Sequence, residues 1–165
     1  MASHGELVAR LNALLEAERA GARVALVFQS QFAPGSAVHA TLHAVHRDEA
    51  HNCGVLIDLI ERLGATPGTA TGAFATRAIA LREPRERLAF LNRGQAWVVR
   101  KLGEALELTD EAAIRAPLAR MLDSHAANIQ ACEDLLAADT VEDCLIRGFS
   151  SPACSAHEFD PNRGG

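Results

Sequence analysis

Apolar residues recur at alternating spacings of three and four along four stretches of the chain, and each run changes to polar residues near its middle. The first stripe reads Leu7, Leu11, Leu14, Glu18, Ala22 and Ala25. The second reads Val38, Leu42, Val45, Glu49, Asn52, Leu56, Leu59 and Leu63. The third is Leu88, Leu91, Gln95, Val98 and Leu102, and the fourth is Ile114, Leu118, Met121, His125, Asn128, Cys132 and Leu135. This periodicity predicts four long amphipathic helices with one apolar face each.

The punctuation of the chain sets the helix limits. The first helix starts near Ser3, with Glu6 completing a capping box, and runs to about Phe32, before Pro34 and Gly35. The second runs from Ser36 to Gly64, a natural terminator. The third starts at Pro84, a residue suited to a first helical turn, and reaches about Leu108. The fourth begins after Thr109, where Asp110 and Glu111 favour the positive end of a helix, and runs to about Ala138.

The first and last connections are short, so each pair of helices is expected to form an antiparallel hairpin. The middle connection, residues 65–83, is long enough to span a helix roughly 42 Å in length, so the second hairpin is free to start at either end. A long crossover of this kind is the connectivity of ferritin-like four-helix bundles. The crossover is rich in Thr, Gly and Ala and turns apolar from Ala73 to Leu81, which predicts a loop followed by a short helix across the bundle. The expected organisation is an all-α ferritin-like four-helix bundle over residues 1–138 and a separate tail over 139–165.

Composition supports packed helices. Of 165 residues, 48% are apolar and only 4% aromatic, with no Tyr, and much of the apolar content is Ala and Leu. The net charge is −5 and the arginines near residue 85 alternate with glutamates, so no nucleic-acid partner is expected. No apolar run approaches a membrane span, and the N-terminus lacks the regions of a signal peptide, so no membrane association and a cytoplasmic location are expected. In that setting the four cysteines are expected as free thiols, with Cys53 and Cys132 packed as small apolar groups. Cys144, Cys154 and His157 place metal-ligand types in the tail at an unspecific spacing.

The polar interruptions share one level. Glu18 and Glu49 are 31 positions apart and Gln95 and His125 are 30 apart, both hairpin-length separations. In di-metal carboxylate bundles two helices each give a Glu and the other two each give Glu-x-x-His. This chain offers Glu18, Glu49-x-x-Asn52, Gln95 and His125-x-x-Asn128 at those slots. Three slots hold common ligand types (Glu18, Glu49, His125) and three hold amides (Asn52, Gln95, Asn128). A buried carboxylate must be compensated, and three arrangements do so. One divalent metal (iron, manganese or zinc) is held by Glu18, Glu49 and His125. Alternatively, Arg93 or Arg100 turns inward, or a protonated carboxyl joins an all-protein hydrogen-bond network.

Other polar groups read as peripheral. His39, His43 and His46 share a flank of the second helix, facing solvent or another subunit, with a surface metal or proton-sensing patch as the alternative. Asp48 and His51 are expected in a local surface contact, Glu16 exposed, and Trp97 in a groove.

Several stretches resemble an uncharacterised bacterial family of ferritin-like domains. They are Glu18-Arg-Ala-Gly-Ala22, Asp48-Glu-Ala, Thr71-Gly-Ala-Phe74, Leu88-Ala-Phe-Leu-Asn-Arg-Gly-Gln-Ala-Trp-Val-Val-Arg-Lys-Leu102 and Ser124-His-Ala-Ala-Asn-Ile129. The resemblance covers roughly residues 7–137 and implies the fold rather than an activity. Against the wider rubrerythrin and ferritin pattern the chain departs at Asn52, Gln95 and Asn128. The resulting expectation is a binding or structural homodimer with a degenerate central site. The alternative is an iron- or manganese-dependent oxidoreductase acting on oxygen or peroxide.

Overall fold

The computed structural model describes residues 4–138 and 141–145. It is all-helical: α1 (His4–Gln29), α2 (Ala37–Arg62), α3 (Phe74–Ala80), α4 (Pro84–Glu107) and α5 (Ala112–Ala137), followed by a short 3₁₀ turn (Glu142–Cys144). Among the described residues no helix is long and apolar enough to cross a membrane.

The local signals in the sequence explain these boundaries. Ser36 caps α2, its hydroxyl accepting the His39 amide at 3.2 Å. Gly64, at φ +71°, ends the same helix and lets the Ala65 amide return to the Ile60 carbonyl at 3.1 Å. Pro84 opens α4, where its missing amide hydrogen costs nothing. The first helix is shorter than its pattern suggested: α1 ends at Gln29, because residues 30–33 make the turn that lets Phe32 pair with Leu145 in an isolated antiparallel bridge. The expected cap at Ser3 lies outside the described residues.

Two apolar clusters fix the direction of every long helix. One joins Leu7–Leu15 of α1, Leu56–Ile60 of α2, Val98–Ala105 of α4 and Ile114–Met121 of α5. The other joins Val24–Phe28, Val38–Val45, Leu88–Leu91 and Cys132–Leu135. The first half of α1 therefore lies beside the second half of α2, and His4 Nε2 reaches the Leu63 carbonyl at 2.8 Å. The helices neighbour one another in the cyclic order α1, α2, α5, α4. Each runs opposite to both neighbours, so α2 and α4 are parallel, and the connection between them must travel the full length of the fold. The sequence left that choice of end open.

The crossover is held to α1 on its way. The Gly68 amide donates to Asn12 Oδ1 and the Gly68 carbonyl accepts from Arg19 Nη1, both at 2.6 Å. It then forms α3, which packs on α1 and α4. Arg87 of α4 fastens the exit of α3. Its guanidinium donates to the Leu81 carbonyl, to the Ile79 carbonyl at 3.2 Å and to Gln31 Oε1 at 2.6 Å, and it lies over the Phe28 ring.

Residues 141–145 of the tail pack on the helices. Val141 and Cys144 are buried in the second cluster, and the Cys144 carbonyl accepts the Ala33 amide at 3.1 Å. Cys154 and His157 lie outside the described residues.

Candidate functional site

Between the two apolar clusters lies a polar layer. Glu18, Glu49, Asn52, Gln95, His125 and Asn128 are all there, each between 1% and 7% exposed. Their positions follow from helical phase, since each occupies the core-facing stripe at the point where the stripe passes from one cluster to the other.

The layer has a firm centre. His125 Nε2 donates to Glu18 Oε1 at 2.7 Å, and Asn52 Nδ2 donates to Glu18 Oε2 at 3.3 Å. Because Nε2 spends its hydrogen on Glu18, its 3.4 Å contact with the Asn52 amide nitrogen is an approach of two donors and adds no bond. Gln95 Nε2 donates to Asn92 Oδ1 at 3.3 Å and to Cys132 Sγ at 3.8 Å. Asn128 donates to Asp48 Oδ2 at 3.2 Å.

Glu49 differs from Glu18. Burial raises its carboxyl well above the usual carboxylate range, and Glu18 and then Asp48 add to the effect. Its Oε2 has no protein partner, and neither do Gln95 Oε1 and His125 Nδ1. Gly21 makes the space for this carboxyl: a Cβ there would stand 2.6 Å from Glu49 Cδ. Cys132 is pushed up to about 12, mainly by burial, and Cys53 to about 11, so both are ordinary thiols at neutral pH.

A cleft of about 330 Å³ opens from the layer between α1, α4 and the crossover. Glu49 and Gln95 form part of its wall, with Phe74, Phe90 and Trp97 supplying aromatic surface and Glu16 and Arg93 the other charges. Glycines shape it. Gly94 lets the Phe74 ring lie against α4, where it stacks on Phe90 at 4.9 Å between centroids. Gly72 combines φ +58° with a close approach to the Glu16 carboxylate, so a side chain there would be strained on both counts.

The six expected layer residues are brought together, but the two arginines are not. Arg93 and Arg100 are exposed. Arg93 sits over the Phe90 ring, and Arg100 donates to its own helix at Ala96. The stripe of α4 runs through Gln95 and Val98, so these positions point away from the layer, and desolvating a guanidinium would be costly. Asp48 accepts from Asn128 across the fold and from Arg47 beside it, and Glu16 is half-buried at the cleft instead of exposed. Asn92 and Gly21 are additional members. Asn92 lies one turn before Gln95, and Gly21, rather than Ala22, continues the buried face of α1. The i, i+3 spacing of Asn92 and Gln95 and the Glu18-Arg-Ala-Gly run were the available signals.

His39 and His43 both approach Gln29 Nε2, and His46 Nδ1 reaches the Ala22 carbonyl at 2.9 Å, so this flank faces α1. Among the described residues, no group of three His, Cys, Asp or Glu side chains is placed to hold a metal ion. No curated protein and no solved structure matches the chain. Residues 5–134 match the family described as Domain of unknown function (DUF6306), and the chain belongs to that family.

Proposed function

We propose that the protein is a ferritin-like four-helix bundle that binds a small organic molecule, its central layer held by hydrogen bonds in place of a metal. The antiparallel neighbours and full-length crossover support the bundle assignment. The donor set does not fit the metal pair that such bundles carry. Asn52, Gln95 and Asn128 are neutral amides where carboxylates or imidazole are needed, and Glu18 and His125 already satisfy each other. No oxygen or peroxide chemistry is therefore derived for it.

One observation carries the binding reading. Glu49 Oε2 and Gln95 Oε1 are buried, have no protein partner, and belong to side chains that form the wall of one cleft. An unsatisfied buried polar group costs about 1–3 kcal/mol, and a ligand that bonds to both oxygens would remove that cost. The volume falls in the range of small-molecule sites. Dimerisation forms no part of the proposal: Leu26 is the one large apolar side chain exposed among the described residues.

Thermal unfolding with small aromatic compounds of each charge type, and separately with Fe²⁺, Mn²⁺ and Zn²⁺, tests this reading. A rise in Tm with an organic compound, lost when Ala17→Phe fills the cleft, is expected. A rise with metal alone, or no organic compound shifting the Tm, sinks it.

A further inference from the structure

Resting on the binding reading, we propose that the ligand carries a protonated primary amine, seated between the side-chain oxygens of Glu49 and Gln95, on a short aromatic or apolar body. The unpartnered buried atoms that belong to side chains of the cleft wall, Glu49 Oε2 and Gln95 Oε1, are both oxygens. The Gln95 amide nitrogen is already directed at Asn92 Oδ1 and Cys132 Sγ, so its oxygen is the atom left without a partner. Once a bound cation offsets its burial and Glu49 ionises, the wall presents acceptors, and the ligand must bring donors. An ammonium brings three, enough for both oxygens with one to spare.

The charges nearby agree. Two carboxyl side chains, Glu49 and Glu16, form part of the wall, and Glu18 stands behind in the same layer. The wall's one cationic side chain, Arg93, is exposed and turned onto the outer Phe90 ring. A ligand anion would find that single guanidinium at the rim and carboxylates deeper in. The remaining surface suits a compact apolar body: Phe74, Phe90 and Trp97 offer ring faces, and small residues of α1 lie opposite. Rings of this kind also attract cations directly.

Trp97 is the sole tryptophan and lies on the cleft wall, so its fluorescence reports occupancy. The probes are 2-phenylethylamine, 2-phenylethanol and 3-phenylpropanoate at constant ionic strength. The amine is expected to give a saturable change, with the alcohol and the acid each about tenfold weaker or more, as loss of one charged hydrogen bond implies. At pH 8, Glu49→Gln should weaken amine binding about 30-fold or more without lowering the Tm. Gln95→Leu, which removes the second acceptor, should weaken it as well. If the alcohol or the acid binds as tightly as the amine, the ammonium assignment falls while the cleft reading stands, provided that Ala17→Phe abolishes that binding. Unchanged amine affinity in both Glu49→Gln and Gln95→Leu, or no binding of the amine at all, also overturns the assignment.

Discussion

Glu18 and His125 are 107 positions apart in the chain, yet Glu18 Oε1 and His125 Nε2 meet at 2.7 Å in the middle of the fold. The pair links α1 to the diagonally placed α5, with both side chains essentially out of solvent. Removing His125 leaves Glu18 Oε1 buried without a donor, and Asn52 then serves Oε2 alone. His125→Ala is therefore expected to cost about 3–5 kcal/mol, while His125→Gln, which keeps a donor, should cost clearly less. Urea unfolding of the two variants checks this order. Equal losses would mean that volume rather than the hydrogen bond decides.

Gly21 and Glu49 form a second coupled pair, because a Cβ on Gly21 would overlap the Glu49 carboxyl. Gly21→Ala should destabilise by about 1–3 kcal/mol despite the better helix propensity of alanine. The cost should largely vanish in a Glu49→Ala background, where the obstructing group is gone. A double-mutant cycle measured by denaturation gives the coupling. Additive effects would show that the carboxyl moves aside freely.

The Glu49 carboxyl is raised above its usual range by burial, by Glu18 and by Asp48, and this makes stability depend on pH. A group that holds its proton more tightly when folded gives its full stabilisation at pH below its unfolded value. That contribution is lost as pH rises through the window between the unfolded and the folded values. Glu49→Gln has no proton to lose. Its Tm should equal or slightly trail the parent near pH 4 and exceed it at pH 8, by roughly 2–4 °C if the difference is about 1 kcal/mol. Melting curves across that range test the crossing. A constant offset would assign Glu49 an ordinary carboxyl.

Arg87 should govern the crossover more than the long helices. Its guanidinium holds the Ile79 and Leu81 carbonyls at the exit of α3 and covers Phe28. Arg87→Ala is expected to speed amide exchange in residues 74–80 while leaving the central turns of α1, α2, α4 and α5 protected. The global cost should be about 1–2 kcal/mol, the scale of a partly exposed charged hydrogen-bond cluster. Uniformly faster exchange would show that α3 is an integral part of the global unit.

The helices and their polar layer were legible because both depend on local period. A stripe of Leu and Val at spacings of three and four, broken once by Glu18, by Glu49 and Asn52, by Gln95 and by His125 and Asn128, places those breaks at one level when hairpin separations match. The cleft was not legible in the same way. It depends on where the crossover runs, and loop composition leaves that open until Asn12 and Arg19 are seen to hold Gly68 and Gly94 to admit Phe74. Glu16 read as exposed on helical phase alone, and the crossover makes it part of a wall, while Trp97, expected in a groove, lines the same cleft. Arg93 and Arg100 illustrate the reverse limit. Charge balance suggested that they turn inward, but the phase set by Gln95 and Val98 outweighs it.

The polar layer is proposed to hold itself together by hydrogen bonds, without a metal. Elemental analysis of protein purified without chelator, from cells supplied with iron, manganese and zinc, tests it most directly. Each metal is expected far below one ion per chain, for the parent protein and for Glu49→Ala alike. Close to one ion per chain in the parent, disappearing in Glu49→Ala, would contradict it.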